Sequence, residues 1–285
     1  MPNTAVMLKT MAFKKHNPNK RKAKPFNPAG PKKTIAPVYN HEVFKKDSTP
    51  DSIRLNRYIA NAGICSRREA DKLIEAGEVT VNGKVAVEMG LKVKTSDLVK
   101  YKGKLLSREK YVYVLLNKPK DFITTTNDPE DRKTVMDLVK KACDERIFPV
   151  GRLDRTSTGL ILLTNDGELV KKLTDPATKI RKVYQVELDK PITRAHFEAI
   201  QDGLKLEDGV AQVDDLASLS EDNKTIGIEI NIIRNRIVHR IFENVGYNVV
   251  KLDRAVFAGL SKKDLPRGKW RFLSEKELIS IKRKK

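Results

Sequence analysis

The chain has 285 residues, of which 57 are lysine or arginine and 37 are aspartate or glutamate, so its formal net charge at pH 7 is +20. Such an excess of positive charge is typical of proteins that bind a polyanion, above all nucleic acid. Hydrophobic residues make up 39% of the chain, which is enough for a folded core and excludes a wholly disordered protein. No apolar run approaches the ~20 residues of a membrane span and no secretory signal is recognisable, so we expect a soluble, cytoplasmic protein that binds no membrane.

Residues 1–50 differ in composition from the rest of the chain. They contain eleven lysine or arginine residues, two acidic residues and seven of the thirteen prolines, and their net charge is +9. This composition predicts a disordered basic tail. The tail either keeps the protein soluble or binds RNA phosphates without reading their sequence, and Met11 offers a second translation start.

From residue 52 the pattern predicts two helices followed by a hairpin. Apolar residues recur at helical spacing over residues 55–62, and residues 66–69 have the form of a capping box that opens a second helix. Gly77 ends that helix, and Asn82-Gly83 between β-branched residues predicts a tight hairpin turn. Five basic residues of the helical half are candidates for phosphate contacts: Arg54, Arg57, Arg67, Arg68 and Lys72.

A known RNA-binding domain has a similar sequence in this region. Residues 54–84, RLNRYIANAGICSRREADKLIEAGEVTVNGK, closely resemble the small domain named after protein four of the small ribosomal subunit. The resemblance covers most of residues 52–100. It implies an S-four-type RNA-binding domain at residues 52–108.

A second region, from about residue 110, combines strands with helices. Apolar or alternating runs predict strands at 111–116, 160–164, 182–188 and 226–232. The first strand leads into Asn117-Lys118-Pro119, where the proline stops it. Helical spacing predicts a short helix near residues 135–139 and a longer one over 236–245. Because the strands follow no regular β-α-β order, we expect an α+β fold with a mixed or largely antiparallel sheet.

Asp154, in the sequence GRLDRTSTG, is the first candidate for chemistry. The simplest interpretation is a loop carboxylate paired with Arg152 or Arg155. The alternative is that these arginines keep the carboxylate ionised while small neighbours leave room beside it. An ionised carboxylate in basic surroundings can act as a nucleophile or stabilise an oxocarbenium-like centre. Such chemistry suits the breaking of a bond between a base and a sugar.

Residues 148–167, FPVGRLDRTSTGLILLTNDG, resemble the catalytic motif of a pseudouridine synthase family. The family includes the small-subunit enzyme RsuA and the large-subunit enzymes RluB, RluE and RluF. Residues 115–129, the Lys-x-Tyr strand around Tyr184 and residues 265–278 fit the same family in the same order. The resemblance spans about residues 52–280 and implies a catalytic domain at residues 110–280.

The resemblance implies an isomerase that needs no cofactor. The target uridine is flipped out of the RNA, its glycosidic bond is broken, and ring carbon five is joined to the sugar. Asp154 matches the essential aspartate, which either attacks the anomeric carbon or acts through a glycal-type intermediate. Tyr184 matches a tyrosine that packs on the base, and Leu252 matches a residue of the uracil pocket, although core packing accounts for Leu252 equally well. The resemblance also suggests RNA or substrate contacts for Arg152, Lys182, Arg236 and Arg240.

One position departs from the family pattern. The family has N-R-Q-x-R/K-R where this chain has Asn235-Arg236-Ile237-Val238-His239-Arg240, so His239 replaces the cation that pairs with the aspartate. A neighbouring carboxylate raises the pKa of a histidine, so His239 can serve as the basic partner. Alternatively, Arg236 or Arg240 supplies the charge, or activity is weakened. We expect His239→Arg to keep or raise activity and His239→Ala to lower it more at high pH.

The expected partner is ribosomal RNA. Residues 246–254 and 268–271 resemble the RluF and RluB branch, which favours 23S over 16S rRNA or tRNA, and a pre-ribosomal particle is a further candidate. We expect the protein to be a monomer. We also expect it to bind no metal, because the four histidines show no ligand spacing and the two cysteines, Cys65 and Cys143, form no recognisable pattern. The rival functions are a non-catalytic assembly factor and a glycosylase, which would release free uracil.

Overall fold

The structure is a computed structural model that describes residues 52–94, 96–107 and 109–283. The basic tail expected at residues 1–50 lies outside the described residues. Within them, no helix is both long enough and apolar enough to cross a membrane.

The N-terminal unit combines two short helices with six short strands among its described residues. Its elements are β1 (Ser52–Arg54), α1 (Leu55–Asn61), α2 (Arg67–Glu75), β2 (Val79–Val81), β3 (Lys84–Val85), β4 (Lys92–Lys94), β5 (Val99–Tyr101) and β6 (Lys104–Leu105). Strands β3, β2, β5 and β6 form a small antiparallel sheet in that order, and β1 pairs with β4. The predicted order of two helices and a hairpin is confirmed.

Local sequence explains the start of α2 and the turn between β2 and β3. The Ser66 hydroxyl accepts a hydrogen bond from the Glu69 amide at 3.2 Å, and the Glu69 carboxylate accepts one from the Ser66 amide at 2.7 Å. This is the predicted capping box. Asn82 and Gly83 have φ values of 50° and 82°, and a two-residue hairpin turn of type I′ requires such left-handed values.

The C-terminal unit contains the remaining elements. They are β7 (Tyr113–Lys118), α3 (Val135–Val139), β8 (Phe148–Pro149), β9 (Thr158–Thr164), α4 (Gly167–Thr174), a 3₁₀ turn (Pro176–Thr178), β10 (Lys182–Leu188), α5 (Arg194–Asp202), β11 (Leu204–Leu206), β12 (Gly209–Ala211), β13 (Asp215–Ser218), β14 (Thr225–Ile230), α6 (Ile237–Asn244), β15 (Val249–Phe257), β16 (Leu260–Ser261), β17 (Trp270–Phe272) and α7 (Glu275–Arg283). Strands β11 and β12 form a separate hairpin.

The large sheet has the order β13-β14-β10-β15-β9-β7-β17, and with β8 and β16 it has nine strands among the described residues. Its pairs are antiparallel except for β9 and β15, which run parallel where Thr158 and Gly159 face Asp253 and Arg254. This mixed sheet confirms the expected α+β class.

Helices cover both faces of the large sheet. Val114 and Leu116 of β7 point into a buried cluster that includes residues of α3 and α6. Tyr113 and Leu115 of the same strand point into a second cluster, which includes residues of α4 and α7. The uninterrupted apolar sequence of β7 follows from this burial on both faces.

Strand β7 begins and ends two residues later than the sequence pattern predicts. The Val112 amide donates to the side-chain oxygen of Asn165 at 2.9 Å instead of joining the sheet. Lys118 still pairs with Gly159, and only Pro119 ends the strand. Lys118 is therefore a strand residue with its side chain in the core.

Candidate active site

Asp154 lies in the loop between β8 and β9, as predicted. Its side chain is 41% exposed, so the carboxylate is accessible to solvent. Neither neighbouring arginine forms an ion pair with it among the described residues, and Arg155 lies 3.5 Å from the Asp121 carboxylate. The interpretation of Asp154 as a loop carboxylate paired with Arg152 or Arg155 is therefore wrong.

Lys118 holds the backbone of this loop from inside the protein. Its side chain is completely buried, and Nζ donates to the carbonyl oxygens of Ser157 at 2.7 Å, Asp154 at 3.0 Å and Pro119 at 3.1 Å. Burial lowers the pKa of Lys118 to about 8, although the charge of Asp154 opposes this shift. A buried ammonium is costly unless its hydrogens are bonded, so the carbonyl contacts both stabilise Lys118 and fix the course of the loop.

Thr124 fixes the residue before Asp154. The Leu153 amide donates to the Thr124 hydroxyl at 3.1 Å, and that hydroxyl in turn donates to the Leu153 carbonyl. The segment after β7 is thus bonded to the loop at Leu153, while Lys118 is bonded to it at Asp154 and Ser157. Together these contacts hold Asp154 on a rigid support.

Gly159 brings β9 close to β15 at the end of the loop. Its φ is +107°, and a Cβ at this position would collide with the backbone of Arg254. One residue earlier, the Thr158 hydroxyl donates to the Asp253 carboxylate at 2.7 Å. The parallel contact of these two strands therefore places β15 directly beside the Asp154 loop.

His239 faces Asp154 from helix α6. Its Nδ1 lies 3.9 Å from Asp154 Oδ2, which is longer than a hydrogen bond, and this buried nitrogen has no hydrogen-bond partner among the described residues. Burial lowers the pKa of His239 below 6.5, and the positive charge of Arg236 lowers it further. Asp154 and Glu243 oppose this shift but do not reverse it. The expectation that Asp154 makes His239 an imidazolium at neutral pH is therefore wrong.

The two arginines that flank His239 do not replace it as the partner of Asp154. Arg240 donates to both carboxylate oxygens of Asp208, at 2.6 and 2.8 Å, and this bond raises the pKa of Arg240. Arg236 is exposed at the start of α6 and lies 3.4 Å from the Glu243 carboxylate. The alternative in which Arg240 pairs with Asp154 is therefore wrong, because its guanidinium is bound elsewhere.

Tyr184 and Leu252 lie on neighbouring strands of the large sheet. Both are buried, at 8% and 7% exposure, and both belong to the apolar cluster that also contains Leu153 of the loop. Tyr184 on β10 lies directly opposite Arg254 on β15, and Leu252 lies opposite Val186. The sheet thus brings these two residues to the side of the loop, although they are far apart in sequence.

Lys182 has a different environment from the one predicted. It is buried, and its Nζ donates to the carbonyl oxygens of Asn231 at 3.2 Å and Ile232 at 3.0 Å. Burial, followed by the positive charge of Arg254, lowers the pKa of Lys182 to about 8. Its ammonium is therefore bound to the protein backbone and is not available for the expected contact with RNA.

Most of the other predicted RNA contacts are exposed. In the N-terminal unit, Arg57 is the exception, because its guanidinium lies 2.6 Å from the Glu168 carboxylate at the start of α4. Arg57 therefore joins the two units, which the sequence did not reveal. The exposed residues among the predicted RNA contacts are Arg54, Arg67, Arg68, Lys72, Arg152 and Arg236.

Sequence reasoning missed Lys118 and Thr124 as parts of the site. Lys118 comes two residues after a run of six apolar residues and directly before Pro119, and a lysine that continues a buried strand in this way could have signalled a buried cation. Thr124 lies in a polar segment in which no pattern singles it out. Only the tertiary structure brings it against Leu153.

Two family models match this chain. The model described as RNA pseudouridylate synthase matches residues 112–255, and the S4 domain model matches residues 53–99. The proposed domain limits, 52–108 and 110–280, enclose these matches but remain a prediction. Asp154, Tyr184, His239 and Leu252 all fall within the first match.

The chain is also similar over most of its length to several whole proteins and to a solved structure. The ribosomal large subunit pseudouridine synthase B of Bacillus subtilis is 40% identical over 80% of this chain and 95% of that protein. The dual-specificity RNA pseudouridine synthase RluF of Escherichia coli is also 40% identical, over 81% of this chain and 79% of its own length. A solved structure of a pseudouridylate synthase is 26% identical, covers 80% of this chain and 99% of its own, and has a TM-score of 0.57. The chain therefore belongs to the RNA pseudouridylate synthase family, whose members are isomerases, and an S4 domain precedes its catalytic domain.

Proposed function

We propose that this protein converts a uridine of large-subunit ribosomal RNA into pseudouridine. The observation that carries the proposal is the accessible Asp154 carboxylate on a loop that the buried Lys118 holds in place. A rigidly supported carboxylate is suited to attack a sugar carbon or to stabilise positive charge there. The choice of large-subunit RNA rests on the relative in Bacillus subtilis, which is named for the large ribosomal subunit.

The exposed basic side chains would bind the RNA backbone. Contacts with phosphates supply affinity and orientation but read no sequence. Arg152, two residues before Asp154, would contact the phosphate beside the target or fill the space that the flipped nucleotide leaves. The preferred target is a uridine that is unpaired or easily unpaired, because flipping such a base costs less free energy.

The flipped uracil would pack on Tyr184, with Leu252 at its edge and its ribose at Asp154. The bond between N1 and C1′ breaks, and its electron pair leaves with the uracil. The ring turns, C5 bonds to C1′, and the proton on C5 leaves while N1 gains one, so uridine and pseudouridine have the same atoms. Tyr184 would accept the C5 proton.

Asp154 has two mechanistic routes in this scheme. It either attacks C1′ directly or acts through a glycal-type intermediate, and both routes need the carboxylate ionised. His239 would assist as a neutral hydrogen-bond donor, because its Nδ1 faces Asp154 Oδ2 and burial keeps the imidazole uncharged. A closer approach of the two side chains, from 3.9 Å to hydrogen-bond distance, would then accompany RNA binding.

Every chemical step uses a side chain of this protein, so we propose that it needs no cofactor. We also propose that it acts as a monomer in the cytoplasm, on free ribosomal RNA or on a pre-ribosomal particle. The small-subunit RNA and tRNA are the alternative substrates.

The experiment is pseudouridine mapping by carbodiimide modification and primer extension on unmodified large- and small-subunit rRNA and tRNA. We expect wild-type protein to produce a single new stop on large-subunit rRNA and Asp154→Asn to produce none. A new stop on small-subunit rRNA or tRNA instead would identify that RNA as the substrate. No stop on any RNA or pre-ribosomal particle, or release of free uracil, would contradict the proposed reaction.

A further inference from the structure

The segment that joins β16 to β17, residues 262–269, is rich in positive charge. Its sequence, KKDLPRGK, contains four basic residues and one acidic residue, so its net charge is +3. The end of β7 holds its backbone: the Asn117 side chain donates to the Leu265 carbonyl at 2.9 Å, and the Asn117 main chain forms hydrogen bonds with Gly268 and Lys269. We call residues 262–269 the basic loop, and no step of the proposed reaction uses it.

Asp253, on β15, fixes two of the basic side chains. This residue is buried, and its carboxylate accepts hydrogen bonds from Arg267 Nη2 at 2.9 Å and from Lys262 Nζ. The Arg267 and Lys262 side chains are 51% and 27% exposed, whereas the Asp253 side chain is 12% exposed. Two cations thus share one buried anion, so the three groups together keep a positive charge, and their cationic side faces the solvent.

The other basic side chains of the basic loop are free to bind a partner. Lys263 and Lys269 are exposed, and neither ammonium forms a hydrogen bond or an ion pair with another of the described residues. Arg267 is bonded through Nη2 alone, which leaves further N–H groups of its guanidinium available. Asp264 is the single acidic residue of this loop. The basic loop therefore presents more positive charge than Asp253 and Asp264 neutralise.

The basic loop lies beside the loop that carries Asp154. Asn117 binds the basic loop, and Lys118, the next residue of β7, donates to the Asp154 carbonyl at 3.0 Å. A second connection runs through the Asp253 carboxylate, which is bonded to the basic loop and also to the Thr158 hydroxyl at 2.7 Å, four residues after Asp154. Because a strand advances only about 3.3 Å per residue, the two loops leave the same end of the sheet side by side.

We propose that the basic loop binds the phosphates of the RNA strand next to the target uridine. The inference rests on the proposed function, because a strand that places one nucleotide at Asp154 carries phosphates on either side of it. Guanidinium and ammonium groups bond phosphate oxygens directly, and four such groups along one loop suit successive phosphates of a strand. Asp253 is a positioning residue here, since it orients Lys262 and Arg267 without cancelling their combined charge.

The first test measures how the affinity for unmodified large-subunit rRNA depends on salt. Loss of a phosphate contact makes the plot of log K against log salt shallower. We expect the double variant Lys263→Gln/Lys269→Gln to reduce this slope by about one to two and to bind severalfold more weakly at about 0.1 M salt. Lys140→Gln/Lys141→Gln is the matched control, because it removes the same charge from two exposed lysines after α3 and should leave the slope unchanged.

The role of Asp253 needs a readout that separates orientation from charge. Asp253→Asn removes an anion, so a purely electrostatic effect would raise the affinity for RNA. We expect the affinity to fall instead, because Lys262 and Arg267 lose the carboxylate that orients them. Arg267→Gln should also weaken binding, and Arg267→Lys, which keeps the charge, should retain most of the affinity. A higher affinity in folded Asp253→Asn would contradict the positioning role.

A second measurement locates the basic loop on the RNA. A photoactivated crosslinker attached to Lys269→Cys should react with nucleotides next to the uridine that becomes pseudouridine, and primer extension reads both positions. The same label on Lys140→Cys should not react there. Labelled wild-type protein reports any reaction through the free thiols Cys65 and Cys143.

The outcomes distinguish this inference from the proposed function. An unchanged salt slope in Lys263→Gln/Lys269→Gln, or crosslinks remote from the pseudouridine, would overturn the inference and leave the reaction in place. A shallower slope, with crosslinks at one position of an RNA that gains no pseudouridine, would support the basic loop as an RNA-binding surface and contradict the proposed function. If Asp253→Asn or Arg267→Gln does not fold, the two exposed lysines still decide the result.

Discussion

His239 Nδ1 lies 3.9 Å from Asp154 Oδ2, and the imidazole is buried while the carboxylate is accessible. This asymmetry decides the electrostatics of the pair. Removal from water disfavours the charged form of His239, and Arg236 at the start of the same helix adds a repulsive charge. Burial and Arg236 therefore both favour the neutral form of His239 beside the Asp154 carboxylate.

The first prediction concerns pH and His239. Because the pKa of His239 is lower in the folded protein than its ordinary 6.5, its stabilising contribution is fully present above about pH 6.5 and is lost as the pH falls toward the folded value. Wild type should therefore lose stability relative to His239→Gln between pH 7 and pH 5.5. Urea unfolding of both proteins across this range measures the difference. A difference that does not depend on pH would contradict the neutral histidine.

The second prediction concerns arginine at position 239. His239→Arg introduces a permanent charge at a position whose side chain faces Asp154, so we expect it to keep or raise activity, as the family pattern implies. Single-turnover rates on the mapped RNA measure the effect, and thermal unfolding reports the cost of burying the guanidinium. A rate loss of more than tenfold in a folded variant would show that a charged group does not fit here.

The third prediction concerns Lys118. Lys118→Met leaves the carbonyl groups of Asp154 and Ser157 without their donor, so we expect a loss of stability of about 1–3 kcal/mol and a rate loss of more than tenfold. RNA affinity should change little, because the phosphate contacts lie elsewhere. Lys120→Met, the exposed neighbour, is the control. Equal effects of the two substitutions would contradict the role of Lys118.

The lowered pKa of Lys118 also predicts that activity declines at alkaline pH. Its pKa of about 8 means that its ammonium loses a proton as the pH rises through that value, and one carbonyl contact is lost. Folding stability should instead rise with pH. The penalty for the buried charge is fully present below about pH 8, and it disappears as the pH rises toward the pKa of lysine in the unfolded chain, about 10.4. The decline should therefore appear in rate and not in unfolding, and it should persist in His239→Gln.

The fourth prediction concerns Gly159. An alanine there meets the backbone of Arg254 and must also adopt a φ of +107°, so Gly159→Ala should destabilise the protein by more than ~2 kcal/mol. Gly151→Ala is a matched control, since Gly151 also has a positive φ, +73°, but open space where its Cβ would lie. Denaturant unfolding compares the two. Similar losses would show that backbone strain, and not the contact between β9 and β15, is responsible.

The fifth prediction concerns RNA affinity. Arg67 and Arg68 are exposed beside the start of α2, and the double substitution to glutamine should weaken RNA binding and reduce the salt dependence of log Kd by up to about two phosphate contacts. The rate at saturating RNA should stay unchanged. Arg57→Gln provides a contrast, because it breaks the bond to Glu168 and should lower stability more than affinity. If the salt dependence of log Kd is unchanged in the double variant, Arg67 and Arg68 do not contact the RNA phosphates.

The sequence by itself determined the local elements and singled out Asp154 as the candidate reactive carboxylate. The capping box at Ser66, the turn at Asn82-Gly83 and the loop that carries Asp154 depend on neighbouring residues, so periodicity and turn chemistry predict them. The α+β class followed for the same reason, since the strands and helices are encoded locally. The disordered basic tail at residues 1–50 remains a prediction from composition.

Only the tertiary structure decided which charged side chains lie close to one another. Lys118 sits under the Asp154 loop because β7 continues two residues beyond its apolar run, and Arg254 joins it because β15 runs parallel to β9 at Gly159. The neutral state of His239, the bond between Arg240 and Asp208 and the buried position of Lys182 follow from the same packing. Desolvation and long-range pairing depend on the whole fold, and no local pattern in the sequence records them.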